Sequence, residues 1–436
     1  MQATGCNSRR RLSSIRCWSL SCKGPWRSMG CPMATDTALP LAGLKVLELG
    51  HIVAGPAAGQ ILADMGADVI KVESVDGGDR VRQMPGTMAA MFHFLNRNKR
   101  SVALDLKGDG VDIFRQMISG ADVVIDNFSY GAVERLGLGY DVVSKGNPGL
   151  IWLSIKGFLP GPSESEPLLD ELAQMAGGLA YMTGTEEKPT RAGASIIDIG
   201  AAAYGIIAVL AALRLRDSTG KGQHIVSGLY ETSVYYVAQW MATAQYSDEP
   251  SVPLATMQQG TRMGFSVYQL FDTSDGHRVF IGIMSDAHWA RFRREFGPGG
   301  PMADERFVLA EGRLANRAEL NAAIDTVVGQ HTRDEAMARL KAASVPFAPV
   351  RRPDQLGDEA HLRDSGQLVD TPFPNGKTGH LPKLPFRASG FDMALRRAAP
   401  LLGAHTSEVL GELGYSAEQV QALANRKAVL TRTNET

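Results

Sequence analysis

The sequence predicts an α/β protein, with a doubly wound parallel sheet in a large domain and a smaller α+β domain after it. Three observations carry this. Strand-length apolar runs alternate with helix-length segments over residues 41–216, with short connections between them. Two βαβ blocks follow one another, over 46–73 and 100–127, which implies parallel neighbours in one sheet. After Gly222 the alternation stops, and two strands joined through Ser274-Asp-Gly276 are followed by helices.

Taken in order, the first strand is expected over 46–49. The loop Gly50-His-Ile-Val-Ala-Gly-Pro56 follows, and Pro56 suits a first helical position, where its missing N–H would be unpaired anyway. A helix over 57–65 ends at Gly66, and a strand over 68–73 completes a βαβ unit. A strand at 100–107, a helix at 111–119 and a strand at 121–127 make a second block. A short helix at 131–136, a strand at 150–156 and a helix at 169–176 continue it, and Gly177-Gly178 interrupts. The uncharged run 199–213, closed by Arg214 and Arg216, reads as a buried helix. Residues 224–230 lead into an aromatic-rich helix over 231–246. Further strands are expected at 266–271 and 279–283, and helices near 288–296, 318–328 and 332–343. Residues 345–350 leave as an extended segment, and the tail carries a strand near 382–386 and a helix at 417–425. The organisation is a leader over 1–36, a large domain over 37–229, a linker over 230–253, a small α+β domain over 254–352, and a C-terminal segment over 353–436 that returns to the large domain.

Composition narrows the function. A net charge of -1 gives no field suited to nucleic acid or an anionic membrane. The uncharged run 199–213 is shorter than the roughly 20 residues a bilayer span needs. All four cysteines, Cys6, Cys17, Cys22 and Cys31, lie in the leader, which removes thiol catalysis and thiolate metal sites from the body of the chain. The nine histidines include no H-x3-H pair, so a metal site has no support. The leader is rich in Arg and Ser and poor in acids, which fits a transit peptide or a start that belongs at Met29 or Met33. The protein is therefore expected in the cytoplasm, or in mitochondria if the leader is a targeting segment.

Asp198 stands where a short apolar stretch meets the long small-residue helix. Read alone it is an ordinary cap. Read chemically, it is a carboxylate held ionised by a helix end and poorly shielded by water, which suits a nucleophile. Gly50-x4-Gly55 with Glu73 invites a dinucleotide reading, in which the acid holds a ribose hydroxyl. The glycines do not follow G-x-G-x-x-G, however, and Pro56 lacks an N–H. The run Arg97-Asn-Lys-Arg100, with Lys107 and Arg135, could neutralise phosphates or could be a solvated loop. His51 sits in the first strand-to-helix loop, within reach of a ligand or simply packing there. Gly193-Ala-Ser195 lacks the second glycine of a serine-hydrolase elbow.

Several motifs occur together and in order: Leu49-Gly-His-Ile-Val-Ala-Gly-Pro56, Leu62-Ala-Asp-Met-Gly-Ala-Asp-Val-Ile-Lys-Val-Glu73, Asn96-Arg-Asn-Lys-Arg-Ser-Val-Ala-Leu-Asp-Leu-Lys107, Asp126-Asn-Phe128, Leu136-Gly-Leu-Gly-Tyr140, Gly177-Gly-Leu with Thr183-Gly184, Asp198, and Pro400-Leu-Leu-Gly-Ala-His-Thr406. Over about residues 40–415 the chain resembles the class III CoA-transferases, which include formyl-CoA and carnitine CoA-transferases. The resemblance implies a ring-shaped chain in an interlocked homodimer. It implies transfer of coenzyme A from an acyl-CoA to a free carboxylic acid, with acyl-CoA as substrate and no tightly bound cofactor or metal. Asp198 falls on the family's nucleophile. Val53, Ala54, Leu104, Asp105, Leu106, Lys107, Asn127, Phe128, Ser129 and Arg135 fall on CoA-contact positions, as do residues Pro167 to Asp170. Backbone N–H groups near Gly200 and in a glycine-bearing loop are the expected oxyanion donors.

Two departures point away from formyl-CoA and oxalate. The family's glycine run is here Met257-Gln-Gln-Gly-Thr-Arg-Met-Gly264, and a basic nucleotide contact is replaced by Ser74. Gln259, Gly260 and Arg262 are therefore the expected substrate loop, with Gln259 or Arg262 selecting the acceptor, as by pairing with the far carboxylate of a dicarboxylic acid. The competing readings are an acyl-CoA racemase using acid–base chemistry on the same fold and a CoA-binding sensor without turnover.

Overall fold

The computed structural model describes residues 39–259 and 264–432. The leader and its cysteines lie outside the described residues, as do Gly260 and Arg262.

Strand β1 (Lys45–Glu48) leads to helix α1 (Ala54–Asp64), β2 (Asp68–Ser74), α2 (Ala90–Leu95) and β3 (Lys99–Leu104). Next come α3 (Gly110–Ser119), β4 (Val123–Asp126), α4 (Ala132–Arg135), α5 (Tyr140–Val143) and β5 (Ile151–Lys156). Helices α6 (Asp170–Ala176), α7 (Leu179–Thr183) and α8 (Ile196–Thr219) precede β6 (Gln223–Gly228) and α9 (Leu229–Ser247). The sheet runs β3-β2-β1-β4-β5-β6 with every pair parallel. Alternate strand residues face opposite layers, because side chains along a strand point to opposite faces. Val46, Val123, Leu153, α1 and α8 form one core, and Leu47, Val124, Trp152 and α3 form another. This is the doubly wound arrangement, and strand order reverses between β1 and β4.

The chain continues through α10 (Leu254–Gln259), β7 (Val267–Asp272), β8 (Arg278–Ile283) and α11 (Asp286–Phe296). Then follow α12 (Ala310–Ala315), α13 (Arg317–Val328), α14 (Arg333–Ala342) and β9 (Phe347–Pro349). Strands β7, β8 and β9 form an antiparallel sheet over a separate core that includes Trp289, Phe292 and Leu340. The tail has α15 (Ala360–Asp364), β10 (Leu368–Pro372), β11 (Thr378–Pro382), α16 (Thr406–Glu412), α17 (Ala417–Asn425) and β12 (Val429–Leu430). Strand β12 pairs antiparallel with β3, while Val409 and Leu423 join the core around α3.

Several boundaries differ from expectation for identifiable reasons. β3 stops at Leu104 because Asp105 turns the chain, its carboxylate accepting from the Lys107 N–H at 3.0 Å. The tail strand falls at 378–382, in a hairpin turning through Asn375-Gly376, rather than at 382–386. α8 is longer than the uncharged run and carries Arg214, Arg216 and Asp217 inside its last turns. At that length it could cross a bilayer by length and composition alone. Its buried stripe, Ile197, Ala201, Ala202, Gly205, Ile206, Val209 and Ala212, instead makes it a core helix against the sheet.

Candidate active site

In an open parallel sheet, ligands bind where the strand order reverses, beyond the carboxyl ends of the strands. Here that crevice lies between the loop after β1 and the loop after β4. The Asn127 side chain crosses it: Oδ1 accepts from the His51 N–H at 2.8 Å, and Nδ2 donates to the His51 carbonyl at 2.9 Å. Ile52 is left-handed, with φ +65°, and its N–H donates to Asp79 Oδ1 at 3.0 Å. A β-branched residue rarely takes this conformation, so the loop is held in place by its surroundings. Gly50 and Gly55 approach so closely that a Cβ on Gly55 would lie 2.6 Å from the Gly50 Cα.

Beneath the loop is a buried charge network. Lys71 Nζ donates to Glu48 Oε1 at 2.9 Å and to the Gly50 carbonyl at 2.8 Å, and it lies 2.9 Å from Asp79 Oδ2. Lys99 Nζ donates to Glu48 Oε2 at 2.6 Å, the Pro56 carbonyl at 2.8 Å and Asn96 Oδ1 at 2.9 Å. Both ends of the loop are thus tied to one buried carboxylate. Burial works against the Lys71 ammonium, but Glu48, Asp79 and Glu73 outweigh it and raise its pKa. Burial dominates at Lys99, and with Lys71 competing for the same carboxylate its pKa falls to about 8. Asp79 is held well below the carboxylate range, because Lys71 and its hydrogen bonds outweigh its burial.

Asp198 occupies the first turn of α8, as the sequence implied. α8 ends where β6 begins, and β6 is parallel to β5, so its N-terminus lies at the same carboxyl edge as the crevice. The donors of that N-terminus are all taken. The Ile196 N–H goes to the Ala194 carbonyl at 2.8 Å, and the Ile199 N–H to the Ser195 carbonyl at 3.1 Å. Asp170 Oδ2, from α6, accepts from the N–H groups of Ile197 at 2.8 Å and Asp198 at 3.0 Å. The expectation that the helix end holds Asp198 ionised is therefore corrected. Burial, followed by the Asp170 and Glu171 carboxylates, pushes its pKa up from 3.8 to about 7. Gly200 lies past the first turn, where the N–H bonds within the helix, so it is no oxyanion donor.

A model of CoA-transferase family III matches residues 41–406. The chain belongs to that family. It is similar to the succinyl-CoA–L-malate CoA-transferase beta subunit of Chloroflexus aurantiacus, 33% identical over 91% of this chain and 99% of that one. It is similar to the succinate–glutarate CoA-transferase of Agrobacterium fabrum, 31% identical over 86% and 96%. A solved CAIB/BAIF family protein from Brucella suis superposes with a TM-score of 0.78, at 34% identity over 86% of this chain and all of that one. The protein is thus an enzyme that transfers coenzyme A, with CoA thioesters as its substrates. Among the described residues no group of His, Cys, Asp or Glu could hold a metal.

The residues expected to contact CoA lie around the carboxyl edge of the sheet, on the segments that follow β1, β3, β4 and β5. Val53 and Ala54 open α1, and no acceptor stands at their N–H groups among the described residues. Leu104 ends β3 and is buried, while Lys107 is exposed. The Asp105 N–H already donates to the Ala428 carbonyl at 2.9 Å, and Leu106 packs at the edge of the core around α3. Asn127 has both amide atoms committed to His51, so it shapes the loop. The Phe128 ring stands 5.4 Å from the His51 ring. Ser129, Arg135 and Pro167 are exposed, and among the described residues the Arg135 guanidinium reaches the Tyr130 carbonyl alone, at 3.4 Å. Asp170 is buried with both oxygens occupied inside the protein. Gln259 ends α10.

Two expectations are overturned. Glu73 cannot hold a ribose, because it is buried and accepts from Arg82, Ser101 and the Asp79 N–H. The basic run cannot neutralise phosphates: Arg97 pairs with Asp64, Lys99 with Glu48, and Arg100 with Asp68, Glu408 and Glu412. Sequence reading missed Glu48, Lys71 and Asp79. For Glu48 and Lys71 the signal was a charge in an otherwise apolar strand, and the two stand in register; Asp79 lies beyond β2 and carried no such signal.

Proposed function

We propose that the enzyme moves coenzyme A from an acyl-CoA to a free carboxylic acid through Asp198. The observation that carries the reading is a half-buried carboxylate at the crevice edge with no cation paired to it among the described residues and its nearest backbone donors already used. Such a group is a poorly compensated, hence reactive, anion. An Asp198 oxygen attacks the donor thioester carbonyl, the C–S bond breaks, and CoA thiolate and a mixed anhydride result. The thiolate attacks the aspartyl carbonyl carbon, expelling the first carboxylate and leaving an aspartyl-CoA thioester. The acceptor carboxylate attacks that thioester, releasing thiolate and a second anhydride. Thiolate then takes the new acyl group and frees Asp198. No net proton enters the cycle, so excluding water matters more than acid–base power.

The acceptor is a dicarboxylic acid, in keeping with the malate, succinate and glutarate in the relatives' names. Arg262 and Gln259 grip its far carboxylate, and Arg262→Ala raises the KM for dicarboxylates but not for monocarboxylates. The working form is a homodimer of ring-shaped chains threaded through one another. Its support is the exposed apolar surface of α8 and α9, with Ile207 61% and Tyr235 66% exposed. Sedimentation measures that state.

The deciding experiment quenches enzyme with acyl-CoA and seeks a mass adduct on the peptide bearing Asp198. A second reading has one observation in its favour, since a carboxyl near 7 is suited to moving protons at neutral pH. Exchange of the α-proton with deuterated water and no adduct would establish a racemase instead.

A further inference from the structure

We propose that Asp170 is a positioning residue for the reacting carboxylate: it occupies the amide donors that would draw Asp198 back onto its own helix, and so keeps Asp198 turned outward and uncompensated. The inference rests on Asp198 being the nucleophile.

An acid in the first turn of a helix ordinarily folds back onto the free N–H groups there. In α8 those groups face Asp170 instead, which is itself anchored. Its Oδ1 accepts from Gln174 Nε2 at 2.6 Å, one turn further along α6, and Gln174 Oε1 accepts from the Ala192 N–H at 2.8 Å. Asp170 is 5% exposed and Gln174 fully buried. One acid–amide pair therefore pins the segment entering α8 at Ala192 and the helix itself at Ile197 and Asp198. A negative charge is fixed against the backbone of the very residue whose side chain must react.

The other charged and titratable groups on the packed elements do not offset it. Helix α6 adds Glu171, a second acid, and Arg191 of the entering loop stands 3.6 Å from Glu171. Helix α1 carries only Asp64, at its far end and paired with Arg97. Helix α9 brings Glu231, bonded to the Leu159 N–H, and the phenols of Tyr235 and Tyr236. On the strands beneath, Lys156 is bound to Asp126, and His224 contacts Ser154. The raised pKa of Asp198, near 7, agrees with this arrangement.

The test compares the intact enzyme with Asp170→Asn and Asp170→Glu. Asn keeps an oxygen that can accept from α8 but removes the charge, and Glu keeps the charge. In Asp170→Asn the acid limb of kcat moves down from near pH 7 by about one unit, because burial, the larger cause, and Glu171 remain. The plateau falls roughly threefold, as a Brønsted coefficient of about 0.5 gives for a nucleophile about one pKa unit less basic. The KM for acyl-CoA stays within about twofold. In Asp170→Glu the acid limb stays near that of the parent enzyme. A merely structural role would not separate the two variants in pH. Asp170→Asn with an unmoved acid limb, or Asp170→Glu with one displaced as far as in Asp170→Asn, overturns the proposal while an adduct on Asp198 still forms. Absence of any Asp198 adduct in the parent enzyme overturns the nucleophile reading itself.

Discussion

Asp198→Asn separates what the reactive carboxylate does from what it costs. In the fold the carboxyl ionises near 7 instead of 3.8. It therefore binds its proton more tightly in the folded chain than in the unfolded one, so stability falls as pH rises from about 4 to about 7. Above that range the penalty is complete. At about 1.4 kcal/mol per pKa unit it reaches about 4 kcal/mol at most. The side chain is only half-buried, and solvent reduces the cost to about 1–2 kcal/mol. Asn keeps the shape and removes the charge. Urea unfolding at fixed protein concentration is expected to show Asp198→Asn more stable by that amount at pH 8 and equal to the parent at pH 4. CoA exchange between acids is expected to fall by at least about a thousandfold, since the covalent route is lost. A variant less stable than the parent at pH 8, or equally stabilised at both pH values, would refute the claim that the charge is held at a cost. Exchange at the parent rate would refute the chemistry.

Three further perturbations address the crevice. Gly55→Ala places a Cβ 2.6 Å from the Gly50 Cα, which is backbone and cannot swing away, so the loop must open. Its KM for acyl-CoA is expected to rise by about tenfold or more, read in initial-rate kinetics. Glu48→Gln leaves the Lys71 and Lys99 ammoniums without their shared buried carboxylate, and is expected to cost about 3–5 kcal/mol in urea unfolding. Asn127→Ala removes both hydrogen bonds to the His51 backbone and is expected to raise the acyl-CoA KM about tenfold, from a loss of roughly 1–2 kcal/mol, with kcat at saturation unchanged.

The doubly wound sheet was legible because buried parallel strands are written as apolar runs, and short connections then fix their order. What escaped detection was short, polar or at an edge. β6 carries Gln223 and His224 at its start and flanks the sheet, so it lacks the apolar signature. β12 is two residues long and owes its existence to pairing with Ala103 and Leu104. α2 packs Phe92 and Leu95 inward from six residues, too few for a helical period to show. At the site, the place of Asp198 in the first turn was legible from its neighbours in sequence. Its protonation was not, because the carboxylate that takes the helix donors lies 28 residues earlier. The basic run misled for the same reason. The acids that neutralise Arg97, Lys99 and Arg100 lie from 32 to 312 residues away, so a local reading sees only unpaired cations.

The carboxyl edge of this sheet uses acids in two opposite ways. Glu48, Glu73, Asp79 and Asp126 are each matched by a buried or nearly buried cation, and those matches hold the crevice loop and the strand ends. Asp198 is matched by none among the described residues and instead faces Asp170 and Glu171. Asp79 is driven well below the carboxylate range and Asp198 well above it. Burial pushes both carboxyls up, so it cannot by itself produce shifts of opposite sign. The difference comes from how cations are distributed, with Lys71 supplied to one and nothing supplied to the other. A lysine introduced beside Asp198 would therefore lower its pKa and its reactivity together, while the same substitution near Asp79 would add little to a carboxylate already neutralised.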